Sequence, residues 1–589
     1  MNSFTRFLAF VCIFSPLISF GCKSPDVGSD VGHLDACLGC EEEDDSDSAG
    51  GGSQDLREDG GSANAGSDPI GEAGSEDVPV LPETGGTAGS DNASGSSGSV
   101  PIDVPSTGST NSGGGQTVDP EDECDDLDLT RCDGVCVYTK GDAENCGSCG
   151  NACGDFEKCY EGECGCDWHL STSIEQCGDA CVDLDTDANN CGACGNVCPF
   201  GCFYGTCATP VKADAGRAHA CMIASDGGLW CWGDNSSNQL GLIAGNAYRT
   251  AQRVPGIAGA IDVVAGSDHT CVIADLDDTY DFAVYCWGKN DVGQLGIGSA
   301  SDTPVSTPTR VEGLDSGLDP NNFNVLTAGA TGTCVILEDR TAWCWGGNEF
   351  GENGDGTTEM ATSPVAVVGL SSVGWISRAK SHACARGIGI DGASLYCWGS
   401  NESGQLGLLN GDAGINASTT PVSARYGASL LEASFGSESE FSCGRVDIST
   451  YDQEAYCWGA NPDGVLGTHP SNFTWEPATA TTDAKTVREI ATGTRHVCMV
   501  SGYGGDTLCW GNGEYGQLGN GSRDSAATPT LITDVWFGGL TAGDDFTCGV
   551  EFELGEDVYC WGKNDVGQLG NGLSDTSSAV PTPVAVGTD

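Results

Sequence analysis

Positive charge is what this sequence has least of: 23 Lys and Arg stand against 85 Asp and Glu, a formal charge of −62 over 589 residues. A surface that acidic repels phosphate backbones, so nucleic acid is excluded as a partner. Aromatic residues make up only 7% while glycine numbers 90, which points away from a helical protein and toward turns, short strands and disorder. The apolar run at the N-terminus, Phe7 to Phe20 behind Arg6, is too short to cross a membrane and has the size of a signal-peptide core. No P-loop, GxSxG or HExxH string occurs, so no catalytic residue, cofactor-binding residue or metal ligand is assigned and no cofactor is expected.

Cysteine is what the sequence has in excess. Thirty-four thiols would be a liability in a reducing cytosol, so an exported, disulfide-forming chain is expected. The apolar run ends Leu17-Ile18-Ser19-Phe20-Gly21-Cys22. This resembles the lipobox of bacterial lipoproteins, whose cysteine becomes the lipidated first residue, although Ser19 and Phe20 depart from the usual pattern. Ordinary cleavage after Gly21 is the alternative, since Ser19 and Gly21 form a small-x-small site. The chain is divided accordingly into a signal peptide (1–21), a lipid-anchored N-terminus with a small Cys37–Cys40 loop (22–40) and an acidic Gly/Ser tether (41–123). The tether's composition cannot build a core, and its ends would sit roughly 50 Å apart on average.

Two cysteine modules follow, 124–165 and 166–207. Cys132, Cys136, Cys146, Cys149 and Cys153 repeat at identical spacing as Cys177, Cys181, Cys191, Cys194 and Cys198. With Cys124, Cys159 and Cys164, and with Cys166, Cys202 and Cys207, each module holds eight. About 40 residues bury too little apolar surface to fold alone; export and the even cysteine count favour disulfide staples over zinc, while the connectivity stays open. The pattern resembles cysteine-rich modules of myxobacterial-type surface lipoproteins. Asp183, Asp185 and Asp187 hint at calcium, but the first module has Tyr138 and Lys140 in that stretch and a solvated turn is the simpler reading.

From 208 onward the chain repeats. VYCWGKNDVGQLG occurs twice, at 284–296 and 558–570, and CWG recurs at Cys231, Cys286, Cys344, Cys397, Cys457, Cys509 and Cys560. A period of 51 to 60 residues suits a four-stranded propeller blade. A second cysteine precedes each CWG by 10 to 15 residues: Cys221, Cys271, Cys334, Cys384, Cys443, Cys498 and Cys548. Because the extra residues fall in the middle, each pair describes a hairpin with a variable tip and a disulfide across it. A Pro/Val stretch opens every repeat but the first, and its last copy (PTPVAVG, 581–587) follows the final CWG. The expectation is an all-β, seven-bladed ring in which the C-terminal strand completes the first blade, with CWG as the stapled inner strand. The run AGxxHxC…CWGxNxxGQLG resembles the regulator of chromosome condensation repeat, which implies the same seven-bladed fold. The nucleotide-exchange activity known in that family is not carried over to an exported chain of this charge; the use of one propeller face for binding is.

His219, His269, His382 and His496 share one slot that holds Gly332, Phe441 or Phe546 in other repeats. A position that accepts Gly or Phe is a packing position. Departures from the repeat at 275–282, 410–418, 438–454 and 468–482 offer Tyr280, Phe282, His469, Phe473 and Trp475 as interaction residues. With Cys12 removed in the signal, two cysteines in the small loop, 16 in the modules and 14 in the repeats leave Cys22 unpaired, where a lipid would sit. The sequence thus reads as a non-enzymatic, membrane-anchored binding protein displayed at a bacterial surface, an outer-membrane lipoprotein touching the membrane through its lipid alone. Its propeller is read as monomeric and its partner as an unidentified protein or glycan. The alternatives are an envelope hydrolase or lyase using the central channel, and a purely structural lipoprotein.

Overall fold

Alternation in LWCWG writes an extended strand with Cys231 on one side and Trp230 and Trp232 on the other. In the computed structural model this strand, Leu229–Gly233, pairs antiparallel with His219–Ala224, and Cys221 lies directly opposite Cys231. The structure describes residues 129–587 apart from 244, 277–280, 315–316, 319–324, 390–394, 409–414, 425–429, 448–451, 468–472, 480–485, 503–504, 533–534 and 552–556. These residues belong to one compact unit, 113–589. Tyr280, His469 and Cys22 lie outside the described residues.

Seven four-stranded antiparallel sheets follow one another along the chain. Their strands span 210–253, 260–310, 326–366, 371–423, 430–479, 487–532 and 537–583. Contacts between neighbouring sheets run first strand to first strand around the ring, including from the seventh sheet back to the first. First strands therefore surround the axis, and the result is a seven-bladed propeller. Among the described residues the helical content is one 3-10 turn, Pro462–Gly464, and no helix is long and apolar enough to cross a membrane.

The phase of the repeat differs from the sequence expectation by one strand. Each Pro/Val stretch closes its own blade as the fourth, outermost strand; blade one has its own in Tyr248–Arg253. The last copy, Ser578–Pro583, belongs to blade seven. The outer edge is where proline belongs, since it cannot donate to a ladder, and Pro304, Pro364, Pro421, Pro529 and Pro581 all occupy outer strands. CWG likewise lies on the third strand, not the innermost. The C-terminal segment still closes the ring, by a shorter route: Ala251 donates to Ala585 and Gly587 donates back to Ala251, at 2.8 and 2.9 Å.

All seven expected blade disulfides form, joining second to third strands at Cα–Cα distances of 4.0–4.2 Å. In the second knot Cys166 pairs with Cys181, Cys177 with Cys194, Cys191 with Cys202 and Cys198 with Cys207. The first repeats this with Cys132–Cys149, Cys146–Cys159 and Cys153–Cys164, and Cys136 is disulfide-bonded too. The second knot docks on blade one. Phe200, 2% exposed, meets Trp230 edge-on at 5.8 Å, and Thr209 exchanges hydrogen bonds with Ser225 on the hairpin beside it.

The blades are joined by the repeat motif itself. The Trp of each CWG donates its indole N–H to the backbone carbonyl at the Gln position of GQLG in the preceding blade. There are seven such bonds, each 2.8–3.0 Å, and Trp232 to Gln568 closes the circle. The final Gly of GQLG makes room for that indole. At Gly296, with φ of +69°, a methyl group would stand 2.7 Å from Trp345 Nε1, so both backbone conformation and space demand glycine. The Asn of CWGxN shapes the same turn by accepting from its backbone, as Asn235 does from Leu240 at 3.0 Å.

The seams are not equally protected. Gln239 also receives Thr270 Oγ1 at 2.7 Å, whereas the residue at that place facing Gln568 is Ala220. Trp232→Phe is therefore expected to cost about 1–3 kcal/mol beyond the lost ring volume, because a buried carbonyl loses its side-chain donor. Trp287→Phe should cost less, and urea unfolding of the two variants side by side measures the difference.

Candidate functional site

Antiparallel order fixes what each end of the ring carries. One end holds the turns from first to second strand and from third to fourth. The other holds the second-to-third hairpins and the links between blades. Ala274 pairs with Ala283 at the hairpin end of blade two, whereas Ala460 pairs with Phe473 at the other end of blade five. Phe282, next to Ala283, and Phe473 thus stand at opposite ends. Phe282 packs against the core of blades two and three. Phe473 and Trp475 belong to a strand, Phe473–Thr479, rather than to a loop.

The end carrying the first turns has its own polar centre. In blade five the turn between Gly436 and Phe441 holds two more residues than its counterparts. The extra length lets Glu438 reach across the axis to blade two, where it accepts from Ser267 Oγ at 2.7 Å. Its other oxygen lies 3.2 Å from Lys380 of blade four. Asp544 of blade seven accepts from Thr494 at 2.7 Å. Burial pushes the Asp544 carboxyl up to about 6, helped by the negative charges of Glu438 and Asp545. Arg217 pairs with Asp268 through Nε at 3.1 Å and Nη2 at 2.5 Å, and Lys563 lies 3.7 Å from Asp545 and 3.4 Å from Asp565. Between blades seven and one, Arg217, Asp544, Asp545, Lys563 and Asp565 line a cavity of about 120 Å3, well under the roughly 300–1,000 Å3 of a small-molecule site. Chemically this end offers exchangeable ion pairs around a bridged axis.

Beneath it lies the histidine layer. His219, His269, His382 and His496 place Nε2 at 2.8–3.0 Å from Thr270, Thr333, Ser442 and Thr547 of the following blade. Each hydroxyl donates onward to the carbonyl of Gln239, Gln294, Gln405 or Gln517, the acceptor of that blade's Trp. Where the slot holds Phe441 or Phe546, the facing residue is Val497 or Ala220 and the contact is apolar. Where it holds Gly332, facing Ala383, the fully buried Arg378 of blade four fills the space. Arg378 donates to Asn353 Oδ1 and to the Gly347 carbonyl, both at 2.6 Å. The packing role read from the sequence stands, and its rule is a pairing across seams.

The sulfurs of Cys146, Cys153 and Cys164 cluster, as do those of Cys191, Cys198 and Cys207, but all six are consumed in disulfides. Asp183 accepts from Ser173 at 2.5 Å and from the Asp185 amide, and Asp187 from Asn189 and Asn190. Those two carboxylates cap turns of the knot. Sequence reasoning reached the neighbourhood of Glu438 through its irregular loop but passed over Arg217, Asp544 and Lys563. They occupy turn positions that look like ordinary variation within each repeat.

The model of the Regulator of chromosome condensation (RCC1) repeat matches residues 226–273, 283–336, 504–550 and 556–588, and a second model of that repeat matches 211–239 and 260–294. The chain carries RCC1 repeats. Its propeller is similar to the ultraviolet-B receptor UVR8 of Arabidopsis thaliana, 28% identical over 53% of this chain and 66% of the receptor. It is also similar to the human E3 ubiquitin-protein ligase HERC2, 25% identical over 52% of this chain and 6% of the ligase. The chain therefore spans less than two thirds of either relative. Among solved structures, Prp20p of Saccharomyces cerevisiae aligns over 60% of this chain and 85% of its own, at 20% identity and a TM-score of 0.49.

Asp544 supplies a pH test of the RCC1 ring's polar centre. Its carboxyl binds a proton more tightly when folded than when unfolded, so its penalty is absent below pH about 4 and grows as pH rises through 6. Asp544→Asn keeps an acceptor for Thr494 and is expected to raise stability by up to about 2 kcal/mol at pH 7.5. The gain at pH 4.5 should be smaller. Thermal unfolding at both pH values checks this, and an equal gain at both would mean that the charge is not the cause.

Proposed function

We propose that this chain is an exported, membrane-anchored, non-catalytic binding protein whose propeller ends recognise a protein partner at a bacterial cell surface. A lipid on Cys22 holds it, residues 41–123 tether it, and the two knots form the stalk. The observation that carries this reading is how the repeat is used. Trp, Gln, Gly, Asn, His and Cys of the RCC1 motif are all committed to building blades or joining them, so recognition falls to what differs between blades, and those differences lie at the two ends. RCC1-repeat propellers serve protein–protein interaction, which favours a protein over a glycan.

The geometry also supports a choice of end. The second knot occupies part of the hairpin end at blade one, so the end bearing Glu438, Asp544 and Arg217 is the one proposed to face outward. The channel-enzyme alternative gains one point, a carboxyl raised to about 6 beside a second carboxylate. Against it stands the bridge from Glu438 to Ser267 across that mouth.

Capture from envelope and secreted fractions with the oxidised full-length chain tests the reading. Shortening 410–418 and 468–472 is expected to abolish capture, and shortening 275–282 to leave it intact. The reverse pattern would move recognition to the hairpin end, and no saturable capture by any form would favour the structural lipoprotein. Separately, Cys22→Ser is expected to release the chain from the membrane fraction and to end labelling by a fatty-acid probe.

A further inference from the structure

Four seams of the ring are closed by a histidine and three are not. In the four, the receiving hydroxyl spends its single proton on the Gln carbonyl beyond it. The imidazole must then be the donor through Nε2, which leaves Nδ1 with a bare lone pair. All four Nδ1 atoms are buried and unpartnered. Around them the space is taken: at Gly266 even a methyl group would come within 2.4 Å of His269 Nδ1. A proton arriving at Nδ1 would add a donor with no acceptor and a charge with no water. Parting the two blades relieves both.

We propose that the ring is acid-loosened at selected seams: protonation of His219, His269, His382 and His496 frees seams one–two, two–three, four–five and six–seven, while three–four, five–six and the closing seam seven–one hold. Among the described residues those three contain no imidazole. They are closed by Arg378 in the space beside Gly332, by Phe441 against Val497, and by Phe546 against Ala220.

Charged neighbours modify the response without reversing it. Asp268 and Asp234 favour the His219 cation and Arg217 opposes it. Asp268 and Asp291 favour that of His269, while His219 and Arg378 oppose it. His382 and His496 feel burial alone, with the Phe435 ring 4.8 Å from His382. Burial holds protonation down to about 3 or 4 against an ordinary 6.5. The folded pKa lies below the unfolded one, so the seams are fully stabilised above pH 6.5 and lose that stability as pH falls toward 4. Between pH 7.5 and 4.5 the opening constant of such a seam should rise on the order of 50- to 100-fold.

Hydrogen exchange on the full-length oxidised chain, corrected for intrinsic rates, tests this at pH 7.5 and 4.5. Peptides flanking the four histidine seams are expected to lose protection at pH 4.5 while those flanking the other three keep it. Uniform loosening of all seven, or no loosening, would overturn the proposal. Asp214 and Asp544 bond to the Ala265 amide and to Thr494 across seams one–two and six–seven. Both hold their protons more tightly in the folded ring, so acid relieves them and their titration cannot produce the expected loosening. The double variant His269→Phe/Thr333→Val copies the natural Phe441–Val497 seam and should remove the acid response at two–three alone. If it fails to fold, the contrast among the seven wild-type seams still decides.

Discussion

One hydrogen bond, made seven times, holds this molecule in its shape: a Trp indole N–H given to a carbonyl in the blade before. A blade is a small sheet with two faces and two edges, and it cannot bury both faces alone. Docking against a neighbour buries them, but flat apolar faces slide. The indole bond fixes register, because the donor sits on a rigid third strand and the acceptor on a tight turn that only glycine permits. The seventh bond, Trp232 to Gln568, joins residues far apart in the chain and turns a row of blades into a ring.

The other recurrent features serve that bond. The disulfide across each hairpin ties the Trp-bearing strand to its neighbour, so a seam cannot be lost by fraying within a blade. The Asn of CWGxN shapes the acceptor's turn. The histidine, where present, hydrogen-bonds to a hydroxyl that reaches the same carbonyl. Seam three–four shows how far the arrangement stretches. Gly replaces His at 332, Glu replaces Gln at 352, Asn replaces Leu at 353 and Arg replaces Ala at 378. These four departures from the repeat meet at one buried guanidinium. Read one at a time along the chain they look like decay; in space they are a single substitution of parts.

The blade count, the hairpin disulfides and the scaffold role of CWG and GQLG were legible because they depend on local spacing, which survives in one dimension. The strand order within a blade was not. The Pro/Val stretch lies midway between consecutive CWG motifs, and spacing cannot say to which sheet it belongs. What decides is that proline lacks a ladder donor and goes to the outer edge. Glu438 was legible only as an irregularity, since the effect of two extra residues depends on what stands across the axis.

By itself the sequence determined a seven-fold repeat of stapled hairpins and two eight-cysteine knots, because periodic glycines, prolines and cysteines restrict the backbone wherever they fall. Only the tertiary structure decided which disulfides form inside the knots and that the second knot rests on blade one through Phe200. It also decided that Glu438 and Ser267 meet, and that His269 answers to Thr333. Those choices are made between residues whose separation in sequence carries no information about distance, and closure of the ring is what brings them together.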